Sequence, residues 1–421
     1  MTETRQHVLI IPDGAGERRR LKAATPLEAA RLPGMDFLAR EGFCGRAVTL
    51  YPDLPRGSLV AHLGILGWNP YRYHPHGRAS AELLALDPPV PLAGDDLVFR
   101  ANLVRMEGAF LASYSADGIE SERARPLIER VNAELADRFP EFELYHNLDF
   151  RATLVLRRAQ IDARSLRCLE PHEVQGAEIA LDRLVTGCDE AAEAIASRIS
   201  AYVAAGHRLL AGEPANLFFP WSPSQPLLLS SFREQTGFEG EVAVVAAMDF
   251  LHGIARAAAI ESHRVGNGRL DTDYAGKGRC VLDLLEAGRS LVVCHVNAPD
   301  EAAHMQDPLA KVAALEQIDL EIVQPVVQYF RQRPGALGSV VVIPDHYTNS
   351  SFTGDGDHGA RRVDAHSLDP VPFAIWDGRR CDEVDRFSEA AAAGGLYGAE
   401  PVSHLDLLGL MGARVGLEVP C

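Results

Sequence analysis

Asp300 and His304 stand four residues apart in Ala298-Pro-Asp-Glu-Ala-Ala-His304. On a helical turn this spacing puts both side chains on one face, where a carboxylate and an imidazole can grip a single ion. Asp345-His346 follows an apolar run directly, and Asp13 closes another. His366 sits in Asp364-Ala-His-Ser-Leu-Asp-Pro-Val-Pro-Phe373. A lone Asp-x-x-x-His is usually a solvated helix face, and Asp-His after a strand is common. Four such features in one chain favour a metal centre. Mixed carboxylate and imidazole donors suit Mn²⁺ or Zn²⁺, and Mg²⁺ less well. The six Asp and His donors exceed what one tetrahedral ion takes, so two divalent ions are expected. Ser58 lies in Pro55-Arg-Gly-Ser-Leu-Val-Ala-His62, and alone a Gly-Ser step reads as a helix cap.

The elements that must hold these residues are legible as short apolar runs. They are His7–Asp13, Ser290–Asn297, Ser339–Asp345, Pro370–Trp376 and, without a chemical group at its end, Val242–Ala247. Rich in β-branched residues and lacking alternation, they read as strands buried on both faces, hence a parallel sheet covered by helices. Helical patterns over Pro26–Glu41 and Leu309–Arg331 complete the βα alternation of an open α/β sandwich. Ligands in such sheets gather at the carboxyl ends of strands, where Asp13, Asn297 and Asp345 fall. After the Pro-rich junction Asp87–Asp96 the pattern changes to shorter strands, Leu97–Met106 and Phe150–Arg157, around a helix near Ser121–Arg138. The expected organisation is a core domain of residues 1–90 and 190–421, with residues 91–189 as an inserted, smaller α+β domain.

Composition narrows the partners. A chain of 421 residues can bury a sizeable core in more than one lobe. A net charge of −17 repels nucleic-acid backbones and anionic membranes, so neither is an expected partner. Any phosphorylated substrate must then be met by local arginines or bound cations. The seven scattered cysteines include no C-x-x-C pair and read as thiols of a reducing compartment. The first residues lead into a strand pattern without an apolar leader, and no segment approaches membrane-spanning length, so a cytoplasmic chain is expected. Assembly into a homo-oligomer is left open by the sequence.

The motifs together resemble the archaeal-type cofactor-independent phosphoglycerate mutases of the alkaline-phosphatase superfamily. The resemblance runs along nearly the whole chain: Pro12-Asp-Gly-Ala-Gly-Glu, Thr25-Pro-Leu-Glu-Ala-Ala, Gly57-Ser-Leu-Val-Ala-His-Leu-Gly-Ile-Leu-Gly67, Phe99-Arg-Ala-Asn-Leu-Val, Leu270-Asp-Thr-Asp-Tyr-Ala-Gly-Lys277, Pro344-Asp-His346 and Asp369-Pro-Val-Pro-Phe373. It implies an alkaline-phosphatase-like, mostly parallel sheet sandwiched by helices with an inserted α+β lid. It also implies that Asp300, His304 and His366 hold one metal and that Asp13, Ser58, Asp345 and His346 hold the other. Ser58 becomes the phosphorylated nucleophile, and 3-phosphoglycerate and 2-phosphoglycerate the interconverted pair. Arg78, Arg100, Asn102 and Arg151 match the family's substrate-binding positions, although each could equally be a surface residue. His62 reads as a satisfied core histidine ahead of a catalytic-pocket residue.

Three departures bear on substrate. Leu59 stands where the family has an acidic residue after the serine, Tyr114-Ser-Ala-Asp-Gly-Ile119 replaces a Ser-Ala-Gly segment, and Phe218-Phe-Pro-Trp-Ser-Pro-Ser224 replaces a glycine-rich one. They keep a second activity in view, that of a metal-dependent phosphatase or small-molecule phosphotransferase resembling the homoserine-kinase-like branch.

Overall fold

Three strands from distant parts of the chain lie side by side at the centre of one sheet, and their order creates the site. In the computed structural model, which describes residues 5–19, 23–73, 77–350 and 366–413, the larger sheet has eight strands. These are β1 (Gln6–Pro12), β2 (Phe43–Val48), β3 (Val242–Ala246), β4 (Glu261–Arg264), β5 (Leu291–Val296), β6 (Leu337–Val342), β7 (Val371–Trp376) and β8 (Tyr397–Ser403). They are ordered β4-β3-β5-β1-β6-β7-β2-β8. Only β7 runs antiparallel to its neighbours. Every residue of β1, β5, β6 and β7 is buried, which is why none of these sequences alternates. The fold class is the mostly parallel, helix-covered sheet expected from the sequence.

Two helical readings need refinement. The pattern over 26–41 forms two helices, α1 (Pro26–Ala29) and α2 (Pro33–Arg40), because Pro33 lacks an N–H and forces Leu32 out of the helical region. Between them and the end of the sheet come α3 (Ser58–Ile65), α4 (Tyr274–Glu286) and α5 (Ala298–His304). The pattern over 309–331 is one helical run in three parts: α6 (Pro308–Ile318), a π-helical turn at Asp319–Val323, and α7 (Gln324–Gln332). Pro325 removes a donor and crowds the preceding turn, and the wider π-helical turn accommodates it. The turn also aims Asp319 at the start of α2, where its carboxylate accepts from the N–H groups of Gly34 and Met35.

The chain divides into two units, Met1–Pro75 with Leu229–Cys421, and His76–Leu228. The smaller is an antiparallel sheet of Leu97–Glu107, Phe110–Ser113, Phe142–Leu148, Arg151–Leu156 and Leu217–Ser224, with helices Ser121–Leu135 and Glu190–Leu209. It is wider than the 91–189 read from the sequence. Ala192, Ala196 and Ile199 of the long helix share its core, and Ala79 and Leu83 pack with Val98 and Val155. Leu217–Ser224 pairs with Leu97–Glu107 despite Pro220 and Pro223, which an edge strand tolerates because its outer N–H groups need no partner.

Among the described residues six cysteines are free thiols, and Cys421 lies outside them. No helix among the described residues is long and apolar enough to cross a membrane.

Candidate metal centre

Because β5, β1 and β6 are adjacent and parallel, their carboxyl ends deliver Asp13, the α5 turn and Asp345-His346 to one place. His295, Asp13, Asp345 and His346 are all buried. Gly14 links them: its N–H donates to Asp345 Oδ1 at 2.9 Å. Its φ of +61° and the space around it both require glycine, since a Cβ would stand 2.6 Å from Asp300 Oδ1 and 2.7 Å from Thr348 Oγ1. Asn297, the other polar residue at a strand end, precedes α5 and donates to Gly268 O, so it shapes the loop.

On α5 the four-residue spacing works as geometry dictates, with His304 Nε2 3.2 Å from Asp300 Oδ2. His366 arrives on a two-residue strand, His366–Ser367, paired antiparallel with Tyr347–Thr348. Its ring stacks on that of His346 at 4.0 Å between centroids, and its Nε2 lies 3.6 Å from Asp300 Oδ1, beyond hydrogen-bonding range. Two sets of donors converge: Asp300, His346 and His366, and Asp13, Asp345 and His346. His346 belongs to both, and His304, with a side chain 45 % exposed, lies at the solvent edge of the first.

Ser58 opens α3, a helix buried along its whole length and left without a side-chain cap at Gly57. Its N-terminal N–H groups are therefore available to an anion beside the serine. Ser58 Oγ lies 3.2 Å from His346 Nε2. The same nitrogen is 3.2 Å from Asp345 Oδ2 and 3.4 Å from Asp13 Oδ1.

This donor set fits a divalent cation on its own chemistry. Burial lowers the pKa of His346 well below its usual value, with His366 adding to the effect, so the imidazole is neutral. Burial pushes the Asp345 carboxyl up, and the charge of His62 offsets this only in part. Burial also opposes ionisation of Asp300, but the adjoining imidazoles of His304 and His366 hold it well below the ordinary carboxylate range. Carboxylate oxygens and a bare imidazole nitrogen facing one another in a buried site repel unless a cation sits among them.

Two further histidines join the site, and the charge of a buried lysine reaches one of them. His295 Nε2 donates to Asp13 Oδ2 at 2.9 Å; its pKa is lowered chiefly by burial, then by His62 and Lys277. His62 combines the two sequence readings: it is fully buried and it faces the site. Its Nδ1 donates to the Ser58 carbonyl at 2.7 Å and lies 3.5 Å from Asp345 Oδ2. Lys277, in a segment noted only as a family motif, is buried on α4, and its amine has no hydrogen-bond partner among the described residues. Burial lowers its pKa. A histidine inside an apolar run was the available signal for His295.

The four substrate-binding candidates lie in the smaller unit. Arg100 and Asn102 alternate onto one face of their strand, and Arg151 pairs opposite Asn102. Glu82 bridges Arg78 Nε and Arg100 Nε at 3.0 Å each. Burial lowers the Arg100 pKa and Glu82 raises it, while the charges of Arg78 and Arg151 lower it again: two guanidiniums share one carboxylate, with a third charge nearby. The Arg100 guanidinium lies 4.4 Å from the Trp221 ring centre, and Trp221 Nε1 donates to Asn102 Oδ1.

A family model described as the Metalloenzyme superfamily matches residues 5–407. The chain is 34% identical over 418 residues to a Methanosarcina barkeri protein named 2,3-bisphosphoglycerate-independent phosphoglycerate mutase, covering 96% of this chain and 99% of that one. A solved structure from Pyrococcus horikoshii aligns over 99% of this chain and 100% of its own, with a TM-score of 0.73 and 24% identity. A cofactor-independent phosphoglycerate mutase from Thermoplasma acidophilum aligns over 97% and 99%, with a TM-score of 0.61 and 22% identity. The two structures establish a shared fold.

Proposed function

Because this chain belongs to the Metalloenzyme superfamily and, within it, to the 2,3-bisphosphoglycerate-independent phosphoglycerate mutases, we propose that it interconverts 3-phosphoglycerate and 2-phosphoglycerate through phosphorylated Ser58. One observation carries the reading: Ser58 Oγ shares a buried site with Asp13, Asp345 and His346, at the end of an uncapped helix. Two divalent ions, Mn²⁺ or Zn²⁺ ahead of Mg²⁺, would supply Lewis-acid stabilisation of phosphoryl oxygens and of the serine oxygen when held by Asp300, His304 and His366, and by Asp13, Ser58, Asp345 and His346.

In this reading Ser58 Oγ attacks phosphorus as the bond to the glycerate oxygen breaks. The serine proton is lost and the departing glycerate oxygen gains one. The other hydroxyl of the same glycerate then attacks phosphoserine, gives up its proton and frees Ser58. Helix N–H groups of α3 receive the phosphoryl oxygens. The arginines of the smaller unit, with more positive charge than Glu82 neutralises, suit the substrate's carboxylate and phosphate. Water must be kept out at the phosphoserine stage, since its entry there would release free phosphate. Both substrates are small cytoplasmic metabolites, in keeping with the free thiols.

The full chain incubated with 3-phosphoglycerate and Mn²⁺ is expected to form 2-phosphoglycerate, with phosphoserine at Ser58 in quenched samples, and Ser58→Ala to form neither. Absence of 2-phosphoglycerate at every metal concentration overturns the reading. Trp221 over Arg100, where the family has a glycine-rich segment, favours one alternative, a phosphatase or small-molecule phosphotransferase at the same centre. Free phosphate released from many phosphate esters, without isomerisation, supports that alternative.

A further inference from the structure

Thr348 contributes no atom to either donor set, yet it is bonded to both. Its hydroxyl lies 2.7 Å from Asp300 Oδ1 and 3.0 Å from His346 Nδ1. A threonine hydroxyl has one hydrogen to give, and an ionised carboxylate has none. The hydrogen therefore goes to Asp300, and the hydroxyl oxygen accepts from His346 Nδ1–H. That order leaves the His346 lone pair on Nε2, the nitrogen that meets Asp13, Asp345 and Ser58. With the opposite tautomer, Nδ1 and Asp300 would compete for one hydroxyl hydrogen, and an N–H would occupy the position a cation needs.

Thr348 is itself held from behind. Its N–H donates to Gly16 O at 3.0 Å, and its carbonyl accepts from Lys311 Nζ at 2.7 Å. Lys311 is fully buried on α6 and also donates to Gly16 O and Glu17 Oε2, each at 3.2 Å. Across the short ladder Thr348 pairs with His366. One residue is thus tied to the loop after Asp13, to Asp300, to His346 and to His366. These are the places from which the aspartate and histidine ligands come, Ser58 on α3 being the one supplied from elsewhere.

We propose that Thr348 is a positioning residue joining the two metal sites, fixing the His346 tautomer through its hydroxyl while orienting Asp300 through the same atom. The inference rests on the metal-dependent reading above and adds a chemical reason for threonine at this position. Hydrogen bonds of this kind, one step behind the ligands, are worth about 10- to 100-fold in metal affinity.

Two measurements on the full chain test it. In metal-free protein, ¹⁵N shifts of the His346 imidazole should show Nδ1 protonated and Nε2 bare; the reverse assignment in the unaltered protein overturns the proposal, whatever the variants do. In Mn²⁺ titrations followed by the resonance of free Mn²⁺, Thr348→Val is expected to lose about 10- to 100-fold in affinity at both sites. Thr348→Ser, which keeps the hydroxyl, should recover most of it. A folded Thr348→Val that binds both ions as tightly as the unaltered protein, with its His346 tautomer unchanged, also overturns it. Failure of the unaltered protein to bind any divalent ion would instead remove the reading on which the inference rests.

Discussion

At the scale of single residues, the tightest constraint is on an atom that is missing. Gly14 carries no donor to the centre except its N–H, but any side chain there would strike Asp300 and Thr348 while holding a left-handed φ. Gly14→Ala should therefore cost about 1–2 kcal/mol in backbone strain alone. It should also displace Asp300, so a fall in denaturant midpoint is expected together with weakened Mn²⁺ binding in direct titration. Loss of stability with unchanged metal affinity would show that the crowding is relieved elsewhere. His62 and His295 illustrate a different point. Both are buried, as apolar surroundings suggest, and both spend a ring N–H on the ligand-bearing chain: His295 on the Asp13 carboxylate, His62 on the Ser58 carbonyl. Burial and a role at the site are not alternatives for a histidine whose hydrogen bond must be satisfied somewhere.

At the scale of elements, two carboxylates do work that neither helix nor strand propensity reports. Asp319 sits in the π-helical turn and accepts from Gly34 N–H, Met35 N–H and Gln324 Nε2. It thereby caps α2, whose own N-cap residue is leucine. Asp319→Ala should cost about 1–3 kcal/mol, seen as a lower denaturant midpoint at constant slope. In the smaller unit, Asp96 accepts from Ala93 N–H and Arg158 N–H and pairs with Arg157 at 2.9 Å. Burial opposes its ionisation, but these partners prevail and lower its pKa. The folded protein then releases this proton more readily than the unfolded chain, whose value is about 4. The stabilisation is present above that pH and is lost as pH falls through the lower, folded value. Unfolding midpoints measured across the acid range should show this loss, and Asp96→Asn should flatten it. An unchanged pH slope in the variant would assign the acid sensitivity to other carboxylates.

At the scale of the whole molecule, a centre of buried carboxylates built on three parallel strands should couple folding to metal. Free Mn²⁺ at about 100 times its dissociation constant is expected to add about 2.7 kcal/mol per site to the unfolding free energy, and chelation to remove it. Thermal unfolding with and without the ion checks this; coincident transitions would mean that the centre does not bind Mn²⁺ in the folded state. Much of this architecture is legible in the sequence. Buried β-branched runs announce a helix-covered parallel sheet, and the Asp-x-x-x-His spacing puts Asp300 and His304 on one helical face, because both depend on local periodicity. What only tertiary structure decided depends on long-range order. The sequence of strands β5-β1-β6 brings Asp13, Asp300 and Asp345 together, a two-residue ladder brings His366 onto His346, and Thr348 acquires its place between the donor sets. The extent of the smaller unit belongs here too, since an edge strand containing two prolines gives no strand signal until its partner is known. Residue type and spacing determine which groups can do chemistry; contacts across hundreds of residues determine which of them meet.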